Sequence, residues 1–100
     1  MNEKAKQIAE LLKILANEHR LLILCALMQG AKTVSQIGEH VPKITQSALS
    51  QHLIKLKTAG ILDSDKQGQS VTYFVADHRV VEILAVLKQH YCDDLEETML

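Results

Sequence analysis

The stretch Thr45-Gln-Ser-Ala-Leu-Ser-Gln-His-Leu-Ile-Lys-Leu-Lys57 carries a single apolar stripe, Leu49, Leu53 and Leu56, at the spacing of one helix face. Everything else on it is a neutral hydrogen-bonding side chain, a small residue, an isoleucine or a lysine. Thr45 is a natural N-cap, and Ala59-Gly60 supplies the stop. Surface helices of ordinary domains cover their wet face with Glu and Lys pairs, yet no acid occurs between Val41 and Ile61. A face built from Gln46, Ser47, Ser50 and Gln51 offers donors and acceptors to base edges without repelling phosphate. The spacing and chemistry predict a helix that reads DNA.

With the leucine stripe turned inward, a helix of about 3.6 residues per turn points Ser47, Gln51, Ile54 and Thr58 most directly outward, with Ser50 and Lys55 on the flanks. Gln51 has the geometry to read adenine bidentately, and Ile54 suits a thymine methyl. His52 falls beside the inward stripe, and two readings stay open: a histidine packed near the core, or a phosphate contact. Lys55, Lys57 and Lys66 read as phosphate contacts, against the plain alternative of solvated surface lysines.

The neighbours of this helix frame it. Upstream, Thr33 or Ser35 can start a short helix carrying Val34, Ile37 and Val41, which Pro42 stops, so that two short helices meet at a tight turn. Downstream, Ile61–Asp65 and Ser70–Val75 flank Lys66-Gln-Gly-Gln69, the pattern of a β-hairpin with Gly68 at positive φ. A hairpin directly after a reading helix is a wing. Before these, Ile8, Leu11, Leu12 and Leu15 mark a first helix, and Asn17 caps a second, Glu18–Gln29, apolar nearly all round and closed by Gly30. At the end, Asp77 caps a helix with Val80, Val81, Leu84, Leu87, Tyr91 and Leu95 along one side. The expected order is ααααββα, a mainly α winged helix-turn-helix in one domain over 1–100. Its parts are a helix-turn-helix at 34–60, a wing at 61–76 and outer helices at 1–17 and 77–97.

Bulk properties agree. A chain of 100 residues buries a modest core, so association with a second copy is expected. The net charge of −1 hides a gradient: residues 31–75 hold five bases and three acids, residues 76–100 two bases and six acids. No apolar run is long enough to span a bilayer and the N-terminus lacks a signal h-region, so a soluble, cytoplasmic protein with no membrane partner is expected. Paired carboxylates on a pocket, a Gly-rich phosphate loop and a Ser/His/Asp set are not apparent, which disfavours an enzyme, and no cofactor is expected.

Leu15-Ala-Asn-Glu-His-Arg-Leu-Leu-Ile-Leu24, Gln46-Ser-Ala-Leu-Ser-Gln-His-Leu53 and the wing after them resemble the ArsR/SmtB family of small dimeric winged-helix repressors over almost the whole chain. The resemblance implies a homodimer formed by the first and last helices, a recognition helix in each major groove of an inverted-repeat operator, and a ligand or redox event that releases the DNA. It places DNA contacts at Gln46, Ser47, Ser50, Gln51 and His52, with Lys66, Gln67 and Gln69 at the wing tip. Two helices related by a dyad would read half-sites roughly 34 Å apart.

Members of that family commonly bind metal, but the thiolate site of the third helix needs cysteines near Val34 to Ile37, where there are none. The last-helix site falls on Asp77, Arg79, His90 and Asp93. Arg79 cannot be deprotonated and disfavours zinc, so a metal site is not expected, although a weak one at Asp77, His90 and Asp93 stays open.

The two cysteines, Cys25 and Cys92, sit in Leu-Leu-Ile-Leu-Cys and His-Tyr-Cys contexts that resemble the dithiol, persulfide- and redox-sensing branch of the family. That resemblance implies release of the operator when reactive sulfur species or an oxidant cross-links the pair. A direct disulfide needs Cβ atoms within about 4.5 Å, while a bridge with extra sulfur spans more. Asp93, Asp94 and an apolar setting would each raise a thiol pKa, which works against reactivity. Taken singly, Cys25 reads as a small buried hydrophobe and Cys92 as an incidental surface thiol. Three functions therefore stay open: a dithiol-regulated repressor, a metal-responsive repressor using the last helix, and a redox-responsive antagonist or activator at promoters.

Overall fold

A computed structural model describes residues 2–90. Two helices, α1 (Asn2–Leu15) and α2 (Glu18–Leu27), lead to a two-residue strand β1 (Lys32–Thr33), the short α3 (Val34–His40) and α4 (Gln46–Thr58). The hairpin β2 (Leu62–Gln67) and β3 (Ser70–Val75) follows, and α5 (His78–His90) closes the described chain. This is a winged helix, mainly helical with a small antiparallel sheet, as the sequence pattern predicts.

The helices α2, α3 and α4 each start where a short polar side chain satisfies an orphan N–H. The Asn17 side chain accepts from Arg20 N at 3.1 Å. Thr33 forms a capping box with Gln36: the Thr33 hydroxyl accepts from Gln36 N at 3.2 Å, and Gln36 Oε1 accepts from Thr33 N at 2.9 Å. Thr45 accepts from Ala48 N at 3.1 Å. The helix α2 stops at Leu27, two residues short of the expected Gln29: Met28 is its C-cap, and the N–H groups of Gln29 and Gly30 turn to the carbonyls of Ala26 and Leu27, three residues back, with Gly30 at φ +136°.

The core is aliphatic. Ile23 and Leu24 of α2, Ile37 of α3, Leu53 and Leu56 of α4, Val80 and Leu84 of α5, with Ile61 and Leu62 at the hairpin base, are almost wholly sealed from solvent. The stripe Leu49, Leu53 and Leu56 thus fixes which face of α4 is left outside.

The sheet holds one element that the sequence pattern does not predict. Its order is β1-β3-β2, with Lys32 opposite Tyr73 and Thr33 opposite Thr72, so the residues that start α3 are hydrogen-bonded to the wing. The hairpin is also longer than expected: pairing runs from Leu62 opposite Val75 to Gln67 opposite Ser70. Only Gly68 and Gln69 turn the chain, with Gly68 at φ +64° and no positive φ at Gln69, the pattern of a type II′ turn whose twist matches its strands. Along α5, Val80 and Leu84 are buried and Val81 is half-buried, whereas Leu87 is 38% exposed; the expected Tyr91 and Leu95 lie outside the described residues.

Candidate nucleic-acid interface

The outward side of α4 is polar and free of acid. Gln46, Ser47, Gln51, Ile54, Lys55, Lys57 and Thr58 are exposed, and Ser50 and His52 are half-buried. Ile54, 61% exposed in the middle of this polar surface, is an apolar side chain that the fold leaves uncovered. Lys55 and Lys57 occupy the last turn, where positive charge complements the helix dipole. At the far end of the hairpin Lys66, Gln67 and Gln69 are all exposed. The fold therefore brings the expected residues into two groups, one on α4 and one at the wing tip, joined through the base of the hairpin.

Two connections hold these groups in place, and neither was expected from the sequence. Lys57 Nζ donates to Ser64 Oγ at 2.7 Å, bracing the end of α4 against β2. At the other end of the core, Arg20 of α2 is only 9% exposed. Its Nε donates to the Ile14 carbonyl oxygen at 2.6 Å, and its Nη1 lies 3.5 Å from His52 Nδ1. The His19 and His52 rings sit 5.8 Å apart with planes tilted by 39°. Desolvation first, then the charge of Arg20, holds the His52 pKa below the usual imidazole value. The only sequence sign of this cluster is an arginine in an otherwise apolar helix, next to a histidine.

The last-helix metal candidates are arranged differently. Arg79 donates from N, Nε and Nη2 to the Asp77 carboxylate at 2.9, 3.1 and 2.8 Å, so both carboxylate oxygens are engaged by a cation. Chiefly through that side-chain hydrogen bond, the Asp77 carboxyl is held below the usual carboxylate range. His90 is exposed and Asp93 lies outside the described residues. Among the described residues, no three His, Cys, Asp or Glu side chains converge as a metal site would need.

Cys25 is buried, 9% exposed, and packs with Ala26 and the partly buried Leu22 as a small cluster separate from the main core. Cys92 lies outside the described residues. No helix among the described residues is long and apolar enough to cross a membrane.

A helix-turn-helix with a wing behind its second helix defines a class of DNA-binding domain, and the sequence comparisons narrow it. The family described as "Bacterial regulatory protein, arsR family" matches residues 17–64, from the cap of α2 into β2. The HTH-type transcriptional regulator YgaV of Escherichia coli is 35% identical over 92 residues, covering 92% of this chain and 93% of that protein. The transcriptional activator HlyU of Vibrio cholerae is also 35% identical, over 92% of this chain and 84% of HlyU. A biofilm growth-associated repressor of Agrobacterium fabrum is 34% identical, over 92% of this chain and 78% of that protein. Reduced HlyU from Vibrio cholerae superposes with a TM-score of 0.84 at 35% identity, covering 92% of this chain and 96% of that one. The homodimeric winged helix-turn-helix domain of a possible ArsR-family regulator of Mycobacterium bovis superposes with a TM-score of 0.78 at 28% identity, covering 96% and 88%. The chain belongs to the ArsR family of bacterial transcriptional regulators.

Proposed function

We propose that this regulator is a homodimeric repressor that binds an inverted-repeat operator through α4 and the wing, and releases it when Cys25 and Cys92 become linked. The observation that carries the DNA-binding part is the acid-free outward face of α4, bounded by an inward leucine stripe and continued by an exposed Lys-Gln-Gly-Gln wing tip. On this reading Gln46, Ser47, Ser50, Gln51 and Ile54 face base edges, while Lys55, Lys66, Gln67 and Gln69 meet the backbone. Residues 34–60 act as the helix-turn-helix and 61–76 as the wing, in a protein that works in the cytoplasm.

Dimerisation through 1–17 and 77–97 is supported by side chains the isolated fold leaves uncovered. Ile8 and Leu12 of α1 are 57% and 51% exposed, and Val86 and Leu87 of α5 are 52% and 38% exposed. A single domain of this size gains from burying them against a second copy. The Mycobacterium bovis relative is homodimeric in its solved form.

The dithiol part rests on the sequence contexts of both cysteines. Forming one disulfide removes two protons and two electrons from the thiols; a persulfide can accept them and leave as a thiol and hydrogen sulfide. Activation instead of repression is the second reading, since the relative HlyU is described as an activator.

The test is selection of a binding duplex from a random-sequence pool with the reduced protein, followed by titration of that duplex before and after persulfide treatment. The proposal expects a selected inverted repeat and weaker binding after treatment. Equal binding to selected and random duplexes would sink it.

A further inference from the structure

The DNA-binding reading leaves one buried charge unexplained. Arg20 is buried, 9% exposed, yet no described carboxylate forms an ion pair with it. A buried guanidinium without a counter-ion is costly unless its donors are placed to some purpose. Two of them are: Nε caps the Ile14 carbonyl near the end of α1, and Nη1 faces His52 Nδ1 on α4.

A guanidinium only donates, so the nitrogen it faces must present a lone pair. The proton of a neutral His52 ring then sits on Nε2. The groups facing this ring are Arg20 and His19 from α2 and Lys55 from α4 itself, with no acid among them. A second proton would therefore be placed against positive charge with nothing to balance it. His52 is half-buried, and its Nε2 makes no hydrogen bond to a described residue and is not among the fully sealed unpartnered nitrogens, so it keeps some contact with the surface. It belongs to the helix whose neighbouring Gln51 and Lys55 form the outer face.

We propose that Arg20 is a positioning residue for DNA binding: it fixes His52 as a neutral imidazole with its proton on Nε2, a donor to a backbone phosphate of the operator. This rests on the DNA-binding reading above. The arrangement gives two consequences that a surface histidine would not. The contact is a hydrogen bond without a formal charge on the ring, so it displaces no counterion of its own. Arg20 also ties the ring, and with it α4, to the end of α1.

The experiment has one arm without DNA and one with it. In the full-length reduced protein, long-range proton–nitrogen spectra of the histidines should show His52 Nδ1 unprotonated and Nε2 protonated from about pH 7.5 to 6.5. Arg20→Lys, if folded, should lose that bias. With the duplex selected by the wild-type protein, His52→Ala should weaken binding about fivefold with no change in the salt slope. His52→Gln, which restores a neutral donor, should recover most of the loss.

A proton on Nδ1, an imidazolium in this range, or wild-type affinity in His52→Ala would overturn the proposal. So would a fall in the salt slope of about 0.9, the mark of a lost cationic phosphate contact. If the wild-type protein selects no duplex, the DNA-binding reading itself falls, an outcome distinct from a wrong tautomer in a protein that does bind.

Discussion

Lys57 Nζ donates to Ser64 Oγ at 2.7 Å, joining the last turn of α4 to the third residue of β2. The bond is at the surface, so its worth to folding is small, on the order of 0.5 kcal/mol. Its effect lies in aiming: the wing leaves the end of α4 at a fixed angle. Ser64→Ala and Lys57→Met are expected to weaken DNA binding non-additively, the double variant binding no worse than Lys57→Met alone. A double-mutant cycle on the selected duplex measures this, and additive losses would show that Lys57 meets phosphate independently of Ser64.

Base reading and backbone contact should separate by variant. Gln51→Ala is expected to cost roughly 1 to 3 kcal/mol on the selected duplex and to relax preference at one position of each half-site. Lys66→Ala should weaken binding to every sequence alike and reduce the salt slope by about 0.9. Titrations against a panel of single-base variants at several salt concentrations check both.

The thiol proposal predicts a response that either serine variant removes. Cys25→Ser and Cys92→Ser should bind the selected duplex as the reduced wild-type does and show no loss after persulfide treatment. Intact mass of the treated wild-type should show an intramolecular bridge in the monomer, with or without added sulfur. A persulfide response that survives in the double serine variant would exclude the cysteines as the sensor.

Stability should fall on acidification in two separate windows. The fold holds the His52 pKa below its usual value, so the unfolded chain takes up that proton first. The contribution is present above the ordinary imidazole value and is lost as pH falls from there through the lowered value of the folded state. Asp77, held below the usual carboxylate range by the Arg79 hydrogen bond, contributes above the usual value and loses its share as pH falls from there through the lowered folded value. Urea unfolding at about pH 7.5, 5.5 and 3.5 should therefore show His52→Gln flattening the upper step and Asp77→Asn the lower. Asn remains a good cap at position 77, so the second variant removes the charge and little else.

Thr45→Ala tests the start of α4. Removing the hydroxyl that accepts from Ala48 N should cost about 1 kcal/mol and lower Tm by several degrees, which a thermal melt reads directly.

The elements that sequence reading located are those whose signal is local. Thr45 caps, Leu49, Leu53 and Leu56 recur at helical spacing, and Gly68 supplies the positive φ of the hairpin turn; each is decided by neighbours within a few positions. The relationships it did not locate join distant parts of the chain. Arg20 and His52 are 32 positions apart, and nothing in an arginine on an apolar helix says which ring it will meet. Lys32 and Thr33 are too short a run to announce a strand, and pair only because the folded chain brings β3 beside them. The hairpin is longer than its sequence pattern predicts because Lys66 and Gln67 are both polar and exposed and give no alternating pattern near the tip.

That two-residue pairing constrains how a signal can act. β1 runs directly into the cap of α3 and is bonded to β3, while Lys57 bonds α4 to β2, so the helix-turn-helix and the wing are stitched together at both ends. A swing of either against the other would break the β1–β3 pairing or the Lys57–Ser64 bond. In the proposed dimer of such heads, these links oppose bending inside a head. On the proposed reading, linking the thiols would then act on the distance and angle between heads, and an operator with half-sites one helical turn apart would be a ruler for that distance.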